Sequence, residues 1–335
     1  MSEPAARAES APSSSPLREA RVAAEATVGH PKAPDAGASF EPAPGTSRPS
    51  ASPAAVRVAG GRLKDDIRAV RVVWKRELIR FSRNRLRIIT SLVQPVLFLF
   101  VLGTGLSSLV GKGIQTTGHV DFRTFMFPGV VAMTVLFTSI FSAVSIVWDR
   151  EFGFLREMLV APVRRGALVA GKCAGGATVA TLQALIMLAL AGLVGVPYSP
   201  VLLITLAAEM LLAAVTITAL GTALASRIAQ VESFQVVMQF VVLPLFFLSG
   251  ALFPLSGLPT WLGALTKIDP LTYIVDPMRR AVFAHIRTSP AIAARFGASV
   301  TWGSWHVPIA LELGMVACFA VLMLTLAIAS FSKTD

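Results

Sequence analysis

Six long apolar segments follow one another in the last three quarters of this 335-residue sequence. An α-helix needs about 20 apolar residues to cross the roughly 30 Å of hydrocarbon in a lipid bilayer. Every segment is near or above that length, so we predict an all-α integral membrane protein. Its six transmembrane helices, called spans 1 to 6, are expected at residues 88–109, 126–147, 168–195, 201–225, 234–255 and 307–331.

Composition and charge argue against other classes of protein. Hydrophobic residues make up 54% of the chain and charged residues 15%, whereas about a quarter of the residues in a soluble domain are charged. The net charge is +11, and residues 63–88 contain nine Lys/Arg but three Asp/Glu. That excess lies directly before span 1, where anionic lipids attract it, so we expect membrane lipids and no nucleic acid as partners. Two isolated cysteines and four dispersed histidines predict neither a disulfide framework nor a metal site.

The N-terminal 62 residues differ in composition from the rest of the chain. Residues 1–60 hold nine of the 21 prolines, one aromatic residue and many Ala, Ser and Gly. Such a segment buries too little apolar surface to offset the entropy lost on folding. We therefore predict a disordered cytoplasmic tail over 1–62 and a transmembrane domain over 63–335. At 63–84, apolar residues recur every three or four positions among cations, which indicates an amphipathic connecting helix in the membrane interface.

The distribution of Lys and Arg predicts the orientation in the membrane. An even number of spans places both termini on one side. If that side is the cytoplasm, fourteen Lys/Arg near the span ends face inward and seven face outward. Because cytoplasmic loops of membrane proteins are enriched in Lys and Arg, we predict cytoplasmic N- and C-termini in the cell membrane.

The sequence pattern of residues 256–306 predicts ordered secondary structure rather than an unstructured loop. Pro244 and the segment 249–254 interrupt span 5, and two short helical patterns follow. Broken helices at membrane depth need protein or water to cover their exposed backbone. We therefore predict a re-entrant helical hairpin between spans 5 and 6 that caps the outer side of a pathway, with a purely structural cap as the alternative. The candidates for an outer gate are Pro254, Trp261, Pro270, Tyr273, Asp276 and Arg279.

Residues 166–173 almost match the phosphate-binding loop G-x-x-x-x-G-K-[S/T], but we reject a nucleotide site. Cys173 replaces the hydroxyl residue that would ligate Mg²⁺, and no predicted strand precedes the motif. We expect Lys172 to extend toward the membrane surface, and Gly171 and Gly175 to let a neighbouring helix approach closely. The chain is therefore predicted to have no ATP site and no enzyme activity of its own.

The loop between spans 2 and 3, residues 148–162, combines a short amphipathic pattern with a terminating proline. Apolar and charged side chains occupy opposite sides of the predicted helix. Pro162 ends it, because the residue before a proline resists helical geometry. An exposed apolar and charged projection on a short loop is suited to a socket on another protein, and an ordinary interfacial loop is the alternative.

This loop resembles the cytoplasmic coupling helix of ABC-2-type permeases, the membrane subunits of ATP-binding-cassette exporters. Further similarities to that family lie in residues 74–81, 83–85, 127–129, 248–254, 258–262 and 270–279, so the resemblance covers about 63–332. It leans toward the drug-resistance branch, whose best-known members export daunorubicin and doxorubicin. The tail before residue 63 departs from the family pattern.

The resemblance implies a dimeric permease that exports hydrophobic or amphipathic, drug-like compounds. A second copy or a paralogue would complete the pathway, and a separate cytoplasmic ATPase subunit would bind ATP and Mg²⁺, so the chain itself would need no cofactor. The implied ATPase-coupling residues are Asp149, Arg150, Glu151, Gly153, Phe154, Arg156, Glu157, Met158 and Pro162.

Other functions stay open as alternatives. Within the family, the substrate could instead be a lipid-linked glycan or a lipo-oligosaccharide. An ion-coupled secondary transporter would be expected to show inverted repeats, and we find none in the sequence. A membrane-embedded enzyme is a further alternative, although no acid–base or metal constellation supports it.

Three polar residues in the predicted spans are candidates for the substrate pathway. Glu209 and Glu312 are costly in a bilayer, so each is expected to face a cavity or a polar partner. A cavity-facing Glu209 would favour cationic amphiphiles, whereas the alternative is a carboxylate bonded to a neighbouring helix. Gln239 is open to the same two interpretations, as cavity wall or as a contact between helices.

Overall fold

The structure, a computed structural model, describes residues 63–111, 122–153, 164–255, 257–286, 300–303 and 305–333. The N-terminal tail and most of the loop between spans 2 and 3 lie outside the described residues. In chain order the α-helices are α1 Leu63–Arg83, α2 Arg85–Leu97, α3 Gly103–Gly111, α4 Phe122–Glu151, α5 Arg165–Ala189, α6 Pro200–Ala225, α7 Val231–Leu248, α8 Thr260–Ile268, α9 Thr272–Ala284 and α10 Ile309–Lys333.

Six helical segments are long and apolar enough to cross a membrane, which confirms the predicted fold class. Spans 1 to 6 are, in order, Arg85–Ser107, Phe122–Glu151, Arg165–Ala189, Pro200–Ala225, Val231–Leu248 and Ile309–Phe331. Spans 3 and 5 end six and seven residues earlier than predicted, at Ala189 and Leu248 instead of 195 and 255. Span 3 stops before a 3-10 turn that leads into Gly195 at φ 78°, and span 5 stops two residues before Gly250 at φ 70°. Glycine adopts these left-handed conformations at little cost, so each one redirects the chain.

Span 1 is built from three pieces. The helix α2 contains Pro95 and passes into a π-helical turn at Phe98–Leu102, which continues as α3. Proline removes one backbone donor, and its ring crowds the carbonyl four residues earlier. The irregular hydrogen-bond ladder after Pro95 therefore has a local cause near the middle of the span.

Spans 2, 3 and 4 pack against one another at the centre of the bundle, and span 6 lies on span 4. Small residues permit the close approach that helix packing in a bilayer requires. A Cβ added at Gly176 would lie 2.8 Å from Thr218 Cγ2, and one added at Gly221 would lie 3.0 Å from Ala143 Cβ. Spans 1, 5 and 6 leave most of their surface uncovered in the single chain, so these faces are available to lipid or to another subunit.

The helix α1 packs against span 3 through a face that includes part of the predicted apolar pattern. Val73 and Glu77 are buried, and Trp74 of that pattern donates a hydrogen bond to a threonine of span 3. A Cβ added at Gly171 would lie 2.9 Å from Val73 Cβ, and one added at Gly175 would lie 2.7 Å from Glu77 Cβ. The predicted close approach at the two glycines is thus confirmed, and it selects which face of α1 is covered.

Two short helices, α8 and α9, connect spans 5 and 6 as the sequence predicts. They are followed by an antiparallel pair of two-residue strands, β1 Thr301–Trp302 and β2 Trp305–His306, in which Thr301 pairs with His306. Two residues are too few to give the alternating pattern by which a strand is recognised in a sequence. The ladder is therefore a feature that the sequence did not predict.

Candidate functional site

Charged side chains gather at both ends of the bundle. The loop-base cluster lies where span 2 finishes and span 3 begins, and its members are Asp66, Arg76, Glu77, Asp149, Arg164 and Lys172. The Arg280 cluster lies at the opposite end, where spans 4 and 6 begin, and its members are Glu209, Asp276, Arg279, Arg280 and Glu312.

The loop-base cluster is centred on the ammonium group of Lys172. Lys172 Nζ contacts the Asp149 carboxylate and donates to the carbonyl of Ser145 at 3.2 Å. Arg76 of α1 reaches the same Asp149 oxygen at 3.2 Å, so one carboxylate joins α1, span 2 and span 3. The prediction that Lys172 extends to the membrane surface is wrong: the residue is 6% exposed, because a nearby carboxylate provides its partner within the bundle.

Both flanks of the loop 154–163 are attached to α1. After the loop, the backbone N–H of Arg164 donates to Asp66 Oδ1 at 3.3 Å, and Arg164 Nε lies 3.4 Å from Asp66 Oδ2. Before the loop, the guanidinium of Arg80 lies 5.5 Å from the ring centroid of Trp148. A displacement of the loop would therefore reach α1 from two sides.

Arg150 and Glu151 connect the end of span 2 to the turn between spans 4 and 5. Arg150 donates to the carbonyls of Ser226 at 2.8 Å and Ile228 at 3.3 Å. The Glu151 carboxylate accepts the backbone N–H of Val231 at 2.9 Å. These two side chains thus fix the position of span 2 relative to spans 4 and 5.

The other predicted coupling residues are located as follows. Gly153 adopts φ 78°, and no atom of the residues that the structure describes lies within 4 Å of a Cβ added there. Five of the predicted coupling residues lie outside the described residues: Phe154, Arg156, Glu157, Met158 and Pro162.

In the Arg280 cluster, one guanidinium holds two acids. Arg280 NH2 lies 2.7 Å from Asp276 Oδ2 and 2.5 Å from Glu312 Oε1, and NH1 donates to the carbonyl of Val307 at 3.1 Å. Glu209 of span 4 is buried and interacts electrostatically with Arg280. Among the described residues, its Oε2 has no hydrogen-bond partner. For Glu312 the structure shows the alternative that the sequence left open, a carboxylate paired with another helix.

Three of the predicted gate residues, Tyr273, Asp276 and Arg279, are buried in α9. Arg279 donates to the carbonyl of Gly250 at 2.5 Å, and its guanidinium lies 4.3 Å from the ring centroid of Phe125 in span 2. Burial lowers the pKa of Arg279 to about 10, and the charge of Asp276 opposes that shift. The structure separates Trp261 from this group, since its side chain on α8 is 66% exposed.

Pro254 and Pro270 stand at turns on either side of α8, and both are half-buried. The sequence pattern did not single out the residue before Pro270, Asp269, as a candidate. Its Oδ1 accepts the backbone N–H of Leu271 at 2.9 Å at the start of α9. Burial raises the pKa of Asp269 to about 7, and the hydrogen bonds from Leu271 and Thr272 oppose the shift. An Asp-Pro-Leu-Thr turn ahead of a helical pattern is the signal that could have identified it.

Glutamines in the spans fall into two groups. Gln183 of span 3 is buried, accepts a hydrogen bond from Thr138 of span 2 and donates one to Ser91 of span 1. Gln239, a predicted pathway residue, is instead exposed on span 5. Spans 1 and 5 are neighbours, because the rings of Phe98 in span 1 and Phe246 in span 5 are 6.1 Å apart.

Comparison with known proteins identifies the family. Residues 68–283 match the ABC-2 type transporter family. Nodulation protein J of Rhizobium leguminosarum bv. trifolii is 28% identical over 64% of this chain and 80% of its own length. The inner membrane transport permease YadH of Escherichia coli K12 is 25% identical over 70% and 90%, and a ycf38 protein of Cyanophora paradoxa is 28% identical over 62% and 72%.

None of these three relatives is named for drug resistance, so they support the family and not the drug-resistance branch. The family match covers the loop base apart from Asp66, all of spans 1 to 5, and α9 except its last residue. With six spans and residues 68–283 matched, this chain belongs to the ABC-2 type transporter family and is a multi-pass membrane permease subunit.

Proposed function

We propose that this permease exports hydrophobic or amphipathic, drug-like compounds and is driven by a separate ATPase that binds through residues 149–162. Both termini are cytoplasmic in this proposal, so the loop base faces the cytoplasm and the Arg280 cluster faces outward. ATP and Mg²⁺ are bound by the partner. The observation that carries the proposal is the attachment of both flanks of the loop to α1 and to the ends of four spans.

The loop base would act as the lever. A push on the loop would move Asp149. Lys172 in span 3 and Arg76 in α1 would follow, because both side chains contact the Asp149 carboxylate. Arg150 carries the same displacement to the turn at Ser226. Lys172 and Asp149 form the buried pair of this group, and removing either partner of such a pair costs about 3–5 kcal/mol because the other charge is left buried. Spans 2 and 3 would therefore move together at this point.

The pathway would form between two copies that face each other through spans 1 and 5. Gln94 of span 1 and Gln235 and Gln239 of span 5 are exposed in the single chain, and amide groups facing lipid are unfavourable. Exposed apolar side chains, including Val236 and Phe240, lie beside them. A cavity lined by amides and apolar groups suits amphipathic molecules, which supports the drug-like substrate class.

At the outer end, α9 would be the gate. Arg279 of α9 contacts the Phe125 ring in span 2 and the Gly250 carbonyl after span 5. Arg280 pairs with Asp276 on the same helix and with Glu312 of span 6. The gate would also include Tyr273, Pro254, Trp261 and Pro270. In this proposal Glu209 and Glu312 act by seating α9 through the Arg280 cluster rather than by contacting substrate.

Charge reversal and added bulk in the loop test the coupling role. In the complex with its ATPase, Glu157→Lys and Gly153→Trp should each reduce substrate-coupled transport at least tenfold while ATP hydrolysis continues. The Gly153 variant is expected to act through backbone strain, because its φ of 78° disfavours a side chain. The matched control Lys267→Glu, an exposed charge on α8, should transport normally. Normal transport by both loop variants would refute the coupling assignment.

The substrate class needs its own assay. Proteoliposomes that contain the permease and its ATPase should accumulate daunorubicin in an ATP-dependent manner. If a lipid-linked glycan is moved and daunorubicin is not, the drug-like assignment is wrong and the alternative within the family replaces it.

A further inference from the structure

The Arg280 cluster contains more acids than bases. Its three acidic residues, Glu209, Asp276 and Glu312, are 7%, 1% and 0% exposed, and the two guanidiniums that face them belong to Arg279 and Arg280. Full ionisation would leave one uncompensated negative charge inside the bundle. Burial of an unpaired charge is so unfavourable that the group takes up or releases a proton instead.

The geometry indicates where a proton would reside. Asp276 and Glu312 contact the same nitrogen of Arg280, and two carboxylates that share a site do not both ionise readily. Asp276 Oδ1 and Glu312 Oε2 are buried and have no hydrogen-bond partner. A proton on either acid would give one of these oxygens a hydrogen to donate. The Asp276–Glu312 pair therefore offers a place for one proton, while Glu209 lies beside Arg280 as a third acid.

The structure describes further titratable groups at this end, and among them the side chain of Lys267 on α8 is exposed. Tyr273 of α9 donates its hydroxyl proton to the carbonyl of Lys267 and is neutral. Asp269, in the turn before α9, is a further acid. Arg123 at the start of span 2 packs its side chain against Gly103 of span 1, and His306 in β2 is exposed.

We propose that the Arg280 cluster is a proton-binding site that holds one proton, shared by Asp276 and Glu312, with Glu209 ionised. The proton makes the cluster neutral and lets α9 remain seated on spans 4 and 6. Its release would leave a net negative charge between these elements and weaken their contact. The inference concerns the chain itself and does not depend on the proposed transport function.

Infrared spectroscopy of the full-length permease in lipid nanodiscs tests the proposal. The carbonyl stretch of a protonated carboxylic acid is separate from carboxylate bands and shifts in D₂O. The measurements use an Asp269→Asn background, because a pKa of about 7 at Asp269 would contribute a band at neutral pH. We expect a band equivalent to about one carboxylic acid in this background protein.

Two variants assign the band. Glu312→Gln should abolish it, because this substitution removes one of the two acids that share the proton. Glu209→Gln should also abolish it, because the two remaining acids then balance the two guanidiniums. The matched control Glu232→Gln, an exposed acid in the first turn of span 5, should leave it unchanged.

The proposal is overturned if the background protein lacks the band at neutral pH, or if the band persists in both cluster variants. If the two cluster variants do not fold, the presence or absence of the band in the background protein still tests the proposal.

Discussion

Because Gly129 has no side chain, span 2 can approach the turn that follows span 5. A Cβ added at Gly129 would lie 2.6 Å from both the Cα and the carbonyl oxygen of Ala251. Backbone atoms cannot move aside as a flexible side chain can. The neighbouring Gly250 carbonyl accepts the Arg279 hydrogen bond, so Gly129 indirectly positions the partner of α9.

We therefore predict that Gly129→Val lowers the thermal stability of the purified protein. Overpacking of a core typically costs about 1–3 kcal/mol, and the backbone contact places this site at the upper end of that range. Gly105→Val is the matched control, because no atom lies within 4 Å of a Cβ at Gly105. Equal melting temperatures for the two variants would show that span 2 does not approach Ala251 this closely.

The raised pKa of Asp269 predicts that the stability of the folded protein depends on pH. Its folded-state pKa of about 7 lies above the ordinary value of 3.8, so the folded chain holds a proton that the unfolded chain has lost. Its contribution to stability is complete below about pH 4 and is lost as the pH rises through about 7.

Asp269→Asn should remove this contribution, so the apparent melting temperature should fall less between pH 4 and pH 7 in the variant than in the wild type. Asp65→Asn, an exposed acid of α1, is the control and should follow the wild-type curve. A variant curve parallel to the wild-type curve would contradict the assignment.

At the scale of elements, α1 is a helix held in place by close packing and by charge. Two glycines of span 3 admit its backbone, Trp74 donates to Thr178 at 3.0 Å, and Arg76 reaches Asp149. Basic side chains also lie on its exposed surface. The helix therefore contacts spans 2 and 3 on one side and carries cations on the other.

Enlarging Gly175 should detach α1, because a Cβ there would lie 2.7 Å from Glu77 Cβ. Hydrogen–deuterium exchange of peptides from residues 63–83 should be at least tenfold faster in Gly175→Leu than in the wild type. Gly314→Leu on span 6 has no atom within 4 Å of the added Cβ and should not change the exchange of α1. Unchanged protection in Gly175→Leu would mean that α1 does not depend on this contact.

At the scale of the whole molecule, the exposed faces of spans 1 and 5 predict how two copies meet. Gln239→Cys, in a background with Cys318→Ser, should form a covalent dimer with a short bis-maleimide in native membranes. Val321→Cys on span 6 is the control, since its side chain is 64% exposed but lies on a different face. Dimers from Val321→Cys and none from Gln239→Cys would exclude the proposed arrangement.

The six spans and the two short helices between spans 5 and 6 could be predicted from local sequence. The transfer free energy of a 20-residue segment depends on its own composition, and proline and glycine act on the backbone where they stand. The resemblance to the family was likewise recognised from short contiguous motifs. The match over residues 68–283 confirms that resemblance. Local information was sufficient for each of these predictions.

Which charged groups meet could not be predicted in this way, because it depends on how the helices pack. Lys172 and its partner Asp149 are 23 residues apart, and Arg76 and Asp149 are 73 apart. Whether Lys172 reaches the surface or a carboxylate depends on the rotation and depth at which spans 2 and 3 pack. The Arg280 cluster likewise requires spans 4 and 6 to place Glu209 and Glu312 against one face of α9. Pairing of distant charges follows from packing geometry, and no contiguous window of sequence contains that information.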